Sequence, residues 1–262
     1  MLFRSVVFAA EQAAQSAATP GARIAAIVGC ADLRLGDGVK PVLEAMVERS
    51  NGLFSGIRHA TSWDADPKIH NSHMNPTQGE MGSAGFRRGF EVLTRELGLT
   101  YDAWLYHPQL PEILDLARTY PDATIVLDHL GGPLGVGPYA GRRDEILAWW
   151  KPVMADIAAC PNVFLKVGGI GMSMYGLAWH KRDTAPTSDE LVAAWGDPMR
   201  FCIDAFGPDR CMFESNFPVD RRGCSYVVLW NAFKKTAAAG GYSDAEKADL
   251  FRGAARRAYR IG

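Results

Sequence analysis

Short, nearly apolar runs alternate with longer amphipathic stretches along most of this chain, and each run stops at a polar or glycine-rich end. Residues 24–28 lead into Gly29-Cys30-Ala31-Asp32, and 54–57 into Arg58-His59. Residues 102–106 lead into His107-Pro108-Gln109, and 123–127 into Asp128-His129-Leu130-Gly131-Gly132-Pro133. Residues 163–167, with Lys166 near their tip, lead into Gly168-Gly169. Residues 211–214 lead into Ser215-Asn216-Phe217-Pro218, with Asp220 just beyond. Runs of this length and composition read as strands. Between them, apolar positions recur at helical spacing over 39–49, 86–97, 110–120, 144–158, 187–206, 225–239 and 243–255. Thr187 with Glu190, and Ser243 with Glu246, have the spacing of capping boxes. An alanine-rich helix is predicted over 6–18, ahead of Pro20-Gly21, and polar loops over 61–84 and 171–186.

Strands alternating with helices predict βα units around a parallel sheet. The strands are apolar on both sides, as expected when both faces are covered. In such sheets the working residues gather at the carboxyl ends of the strands. At five of the six ends, all but the first, a His, Arg, Asp, Glu, Asn or Lys lies within the run or in the two positions after it, and that convergence is the main functional signal. No G-x-G-x-x-G follows the first strand, which disfavours a dinucleotide fold. A closed barrel of this type needs eight strands. The two not found would precede the first helix, so the reading is a chain cut at its start. Residues 1–22 would be the leftover helix of a truncated unit, and 23–262 a single (β/α) barrel domain.

Composition narrows the partners. The 262 residues are 48% hydrophobic and 22% charged with a formal net charge of -1, and no long run of either sign points to nucleic acid or a membrane surface. No apolar run approaches the ~20 residues of a membrane span. Five scattered cysteines, Cys30, Cys160, Cys202, Cys211 and Cys224, form no C-x-x-C pair and read as reduced thiols of a cytoplasmic protein.

Four stretches share one resemblance: Gly56-Ile-Arg-His59, Leu127-Asp-His-Leu-Gly-Gly-Pro133, Val163-Phe-Leu-Lys-Val-Gly168 and Met212-Phe-Glu-Ser-Asn-Phe-Pro218. Together they resemble the amidohydrolase-related, TIM-barrel metal-dependent hydrolases, a group with sugar lactonases, a pyrone-dicarboxylate lactonase and, more distantly, decarboxylases. The resemblance implies an α/β (β/α)8 barrel, with the six strands as family strands three to eight. It also implies His-x-His at the end of the first family strand, His at the sixth and Asp at the eighth. His129 matches the sixth-strand His. Asn216 stands where the family has Asp, and the His-x-His has no counterpart. One divalent metal, zinc, is implied for a complete parent, or none. His129 is the single candidate ligand retained, and zinc wants about three.

An amide is a poor base, so Asn216 would serve catalysis by donating a hydrogen bond to a substrate oxygen or by orienting a water. Glu214, two residues earlier on the strand, is the favoured replacement carboxylate, with Asp220 on the following turn as the other. His129 would polarise a carbonyl. Arg58 suits bidentate binding of a carboxylate, and His59, His107 and Lys166 would line the same acid-binding mouth. Bland readings stand beside each of these: an ion pair for Arg58, packed histidines for His107 and His129, and a pairing of Lys166 with Glu214. His70 and His73 read as solvated, and Trp149, Trp150, Trp195 and Trp230 as core. The expected activity is hydrolysis of a small carboxylated cyclic ester by a protein that forms either a monomer or a homo-oligomer, lost if the chain is cut short. The rivals are an aromatic-acid decarboxylase and a non-catalytic fragment.

Overall fold

A computed structural model describes residues 4–262; residues 1–3 of the expected leftover unit lie outside the described residues. Six strands pair in parallel and in chain order: β1 (Ile27–Gly29), β2 (Phe54–Arg58), β3 (Thr100–Ala103), β4 (Ile125–Leu127), β5 (Val163–Gly168) and β6 (Cys211–Glu214). The sheet curls into a half-barrel. Each connection carries a helix: α2 (Lys40–Glu48), α3 (Ala84–Glu91), α4 (Leu110–Thr119), α5 (Arg143–Ala158) and α6 (Ser188–Phe206). Ahead of them lies α1 (Arg4–Ala17); after β6 come α7 (Tyr226–Ala239), α8 (Asp244–Ala248) and α9 (Ala254–Tyr259). Among the described residues no helix is long and apolar enough to cross a membrane.

Side chains alternate across a strand, and the register carries this parity from strand to strand. Arg58 pairs with Asp102, Asp102 with Val126, Val126 with Phe164, Lys166 with Met212 and Gly168 with Glu214. Every one of these positions is even-numbered, so they share the concave inner face. The odd positions Ile57, Tyr101, Leu127, Leu165 and Phe213 face outward. They form one buried core with Leu43, Phe86, Ile113, Trp150, Met199 and Phe233 of the helices. Burying each such side chain contributes about 1.5–3 kcal/mol, which makes the outer layer the main source of cohesion. Val6 and Ala10 of α1 belong to this same core. On the inner face, α9 lays Ala254 and Ala258 over Val126 and Met212. The amino-terminal half of the concave face is thereby apolar and covered.

The strand and helix order matches expectation, while several boundaries move for local reasons. Pairing of β1 starts at Ile27, opposite Phe54, because β2 supplies no partner further upstream. Strand β3 stops at Ala103, opposite Leu127, the last residue of β4, so 104–106 leave the sheet. The expected helix over 86–97 becomes α3 followed by one π turn, Val92–Glu96. Helix α9 continues to Tyr259, as good helix formers allow, and ends at Arg260 in the left-handed region with φ +55°. Trp150 and Trp195 are fully buried, whereas Trp149, expected in the core, is 43% exposed. It follows α5's outer side while its neighbour Trp150 takes the inner.

Candidate active site

The carboxyl half of the inner face is built from charge. Arg58 Nε lies 2.8 Å from Asp128 Oδ2. Lys166 Nζ lies 2.8 Å from Asp128 Oδ1 and donates to Asp102 Oδ2 at 2.5 Å. The Tyr259 hydroxyl of α9 donates to that same Asp102 oxygen at 2.9 Å. Five groups from three strands, the residue after β4 and the last helix thus form one chain, Arg58–Asp128–Lys166–Asp102–Tyr259. Both carboxylates are fully buried. Burial pushes Asp128 up, but Lys166 and Arg58 outweigh it and hold the group at about 2. For Asp102, burial outweighs Lys166 and raises its pKa. Lys166 is shifted well upward, since Asp102 and Asp128 more than offset the burial that would lower it.

Lys166 is therefore ion-paired, with Asp102 and Asp128 rather than with Glu214. Asp102 was legible as an acid inside an apolar run; Tyr259 carried no sequence signal. Arg58 keeps 37% of its side chain exposed. With Lys166, Asp102, Cys30, Ala60 and His73, it lines a cleft of about 380 Å³. His73 is exposed there, and His70 is exposed too.

A second pair forms where β4 and β6 end. His129 Nδ1 meets Glu214 Oε1. Tight packing fixes the imidazole. Both His129 and Leu130 turn through the left-handed region, at φ +56°. The Tyr175 hydroxyl donates to the His129 carbonyl at 2.7 Å, and the Trp104 ring packs edge-on at 4.8 Å. Gly169, at φ +68°, closes the other side: a Cβ there would fall 2.7 Å from that of His129. Among the described residues, His129 Nε2 has no hydrogen-bond partner.

Asn216 bonds to Asp220 rather than to this pair. At φ +51°, it donates from Nδ2 to Asp220 Oδ1 at 2.8 Å, and the other Asp220 oxygen accepts the Gly171 amide at 2.9 Å. Burial pushes the Asp220 carboxyl up to about 6, despite those donors. Glu214 thus reaches the histidine, and Asp220 reaches the amide.

Two expected binding residues lie elsewhere. His59 follows Arg58 on β2, so its side chain points to the opposite face. It is fully buried, accepts the Leu33 amide on Nδ1 at 3.0 Å, and places Nε2 3.0 Å from Glu80 Oε1. This ties the loop after β2 to the turn after β1. His107 fails to join the mouth because β3 has already ended at Ala103. It is buried, accepts the Leu134 amide at 3.3 Å, and packs against Tyr139 and Trp149. Burial lowers its pKa to about 4, so it is a neutral packed imidazole at ordinary pH.

An uncharacterized protein of Sinorhizobium fredii is 36% identical over 236 residues, covering 90% of this chain and 69% of that protein. The L-fucono-1,5-lactonase of Burkholderia multivorans is 28% identical over 240 residues, 92% of this chain and 73% of that enzyme. A zinc-bound amidohydrolase crystal structure from Burkholderia multivorans superposes with a TM-score of 0.77 at 27% identity, covering 97% of this chain and 78% of that one.

Zinc takes about three or four protein ligands. His129 Nδ1 is engaged by Glu214, and Asp128 is held by two cations. Among the described residues, no three His, Cys, Asp or Glu side chains converge to hold a metal ion. Among the described residues the donor set does not fit a resident zinc, so the ligand role expected of His129 lacks the partners it needs. The sequence model of the amidohydrolase family matches residues 3–261, nearly the whole chain, and this protein belongs to that family.

Proposed function

We propose that this protein opens a small carboxylated cyclic ester by hydrolysis, with His129 and Glu214 as its proton-moving pair. The observation that carries the reading is the contact between His129 Nδ1 and Glu214. A carboxylate on one ring nitrogen fixes the tautomer and the ring's orientation, leaving the other nitrogen to take a proton. Nε2 would accept a proton from water as its oxygen attacks the lactone carbonyl carbon. The tetrahedral oxyanion then collapses, the ring C–O bond breaks, and the imidazolium returns its proton to the leaving alkoxide. The product is an open hydroxy acid.

Arg58 supplies the recognition. Its Nε is spent on Asp128, while the rest of the guanidinium fork faces the cleft and suits a substrate carboxylate. Asp128, Lys166 and Asp102 hold that fork at a fixed height above the covered apolar floor. The lactonase relative at 28% identity supports the choice of a cyclic ester.

The test is acid release in a pH-stat across a panel of sugar-acid and dicarboxylate lactones, with aromatic acids as decarboxylation controls. Lactone opening liberates a proton, whereas decarboxylation consumes one and evolves carbon dioxide. Rates no higher than those of the uncatalysed lactones would end the proposal, as would carbon dioxide evolution alone.

A further inference from the structure

A second cleft, of about 490 Å³, opens beside the loop that follows β6. Its charged lining is Arg182, Arg221, Arg222, His180 and Asp183. Arg182 is neutralised by Glu190 at 2.8 Å. Arg221 and Arg222 are exposed, and among the described residues neither has an acidic partner. Two adjacent guanidiniums left unpaired in a concave surface are uncommon in a chain whose other arginines mostly find carboxylates or carbonyls.

Trp179, Phe217 and Tyr226 give the wall an aromatic side. Trp179 is 9% exposed, and Phe217 meets Tyr226 edge to face with ring centroids 5.2 Å apart at 87°. Tyr226 is half-exposed, so a ring face remains available. It also opens α7, whose first turn contains no acid. The cleft thus joins a cationic pair to aromatic surface, in a volume far larger than an inorganic ion requires.

We infer that this cleft binds a planar-ring anion, a ring carrying a carboxylate or phosphate group, with the anion on Arg221 and Arg222 and the ring against Tyr226 and Phe217. Guanidinium forks match both anions bidentately, and aromatic walls favour flat rings over saturated ones. The site is separate from the His129–Glu214 pair and does not depend on what that pair catalyses.

Isothermal titration calorimetry at low salt on the full chain decides the matter, with phenyl phosphate, phthalate and inorganic phosphate as probes. Phenyl phosphate or phthalate should give saturable binding, and the two arms tell which anion is preferred. The R221A/R222A double variant should bind at least ~10-fold more weakly, since charge-assisted bidentate contacts are lost. Because both side chains are exposed and unpartnered, the variant should keep the thermal midpoint of the parent. Tyr226→Ala should weaken the ring-bearing probes and leave inorganic phosphate unchanged. The inference is overturned if no ring-bearing anion saturates, if the double variant binds as the parent does, or if inorganic phosphate binds as tightly as phenyl phosphate.

Discussion

Tyr259, in the last turn of the final helix, donates its phenol hydrogen to Asp102 on β3, 157 positions earlier. That bond closes the carboxyl terminus onto the inner face of the half-barrel and ends the charge chain that begins at Arg58. Replacing Tyr259 by Phe keeps the ring over the floor and removes one donor from a buried carboxylate. The expected cost is about 1.5–3 kcal/mol in urea unfolding, the range for hydrogen bonds to charged groups. An unchanged midpoint with an unchanged slope would show that the bond contributes nothing.

Lys166 sits between two buried carboxylates, so its loss should be the more severe. Lys166→Met leaves Asp102 and Asp128 facing each other without their shared cation. Breaking a buried pair from one side typically costs about 3–5 kcal/mol. Adding Asp102→Asn to that variant should recover part of the loss, because one uncompensated charge is then gone. If the double variant is less stable than the single one, the charge account of this cluster fails.

Removing the proposed proton carriers should cost rate before affinity. Glu214→Gln and His129→Asn are each expected to lower kcat for lactone opening by about 10²–10⁴-fold, the usual contribution of general acid–base groups. Arg58→Met should instead act mainly on KM, since the proposed role of Arg58 is to hold the substrate rather than to move its protons. Gly169→Ala forces a Cβ against His129 and a residue into φ +68°, so kcat should drop with little change in KM. A Gly169→Ala enzyme with full kcat would mean that the imidazole's position is not set by this packing.

Acid titration should separate two buried aspartates. Asp128 is held at about 2 against an ordinary 3.8. Between those values the unfolded chain takes up a proton that the folded protein refuses. Its contribution is therefore complete above about 4 and lost as pH falls toward 2. Asp220 runs the other way, raised to about 6 from 3.8. Across that window the folded state keeps a proton the unfolded chain has released, so stability declines as pH rises, then levels above about 6, at a slope on the order of 1 kcal/mol per unit. Unfolding curves collected from pH 2 to 8 should show both limbs. Asp220→Asn should flatten the decline, and a variant that retains it would assign the proton to another group.

From the order of residues alone came the six strands, their succession with the helices, and the polar tips at the carboxyl ends. Periodicity is local, and six short apolar runs closed by Gly, Pro or charged residues cannot hide in a helix. The neighbours Arg58 and His59 mark the limit of that reading. They look equivalent as a pair at one strand end, but β alternation sends one into the cleft and the other to Glu80 behind the sheet. Which parity faces inward depends on what covers each face, and that is a property of the packed molecule. Likewise Lys166 inside an apolar run demanded a counter-charge, yet only strand register could deliver Asp102 and Asp128, and only the fold of the whole chain could bring Tyr259 to them.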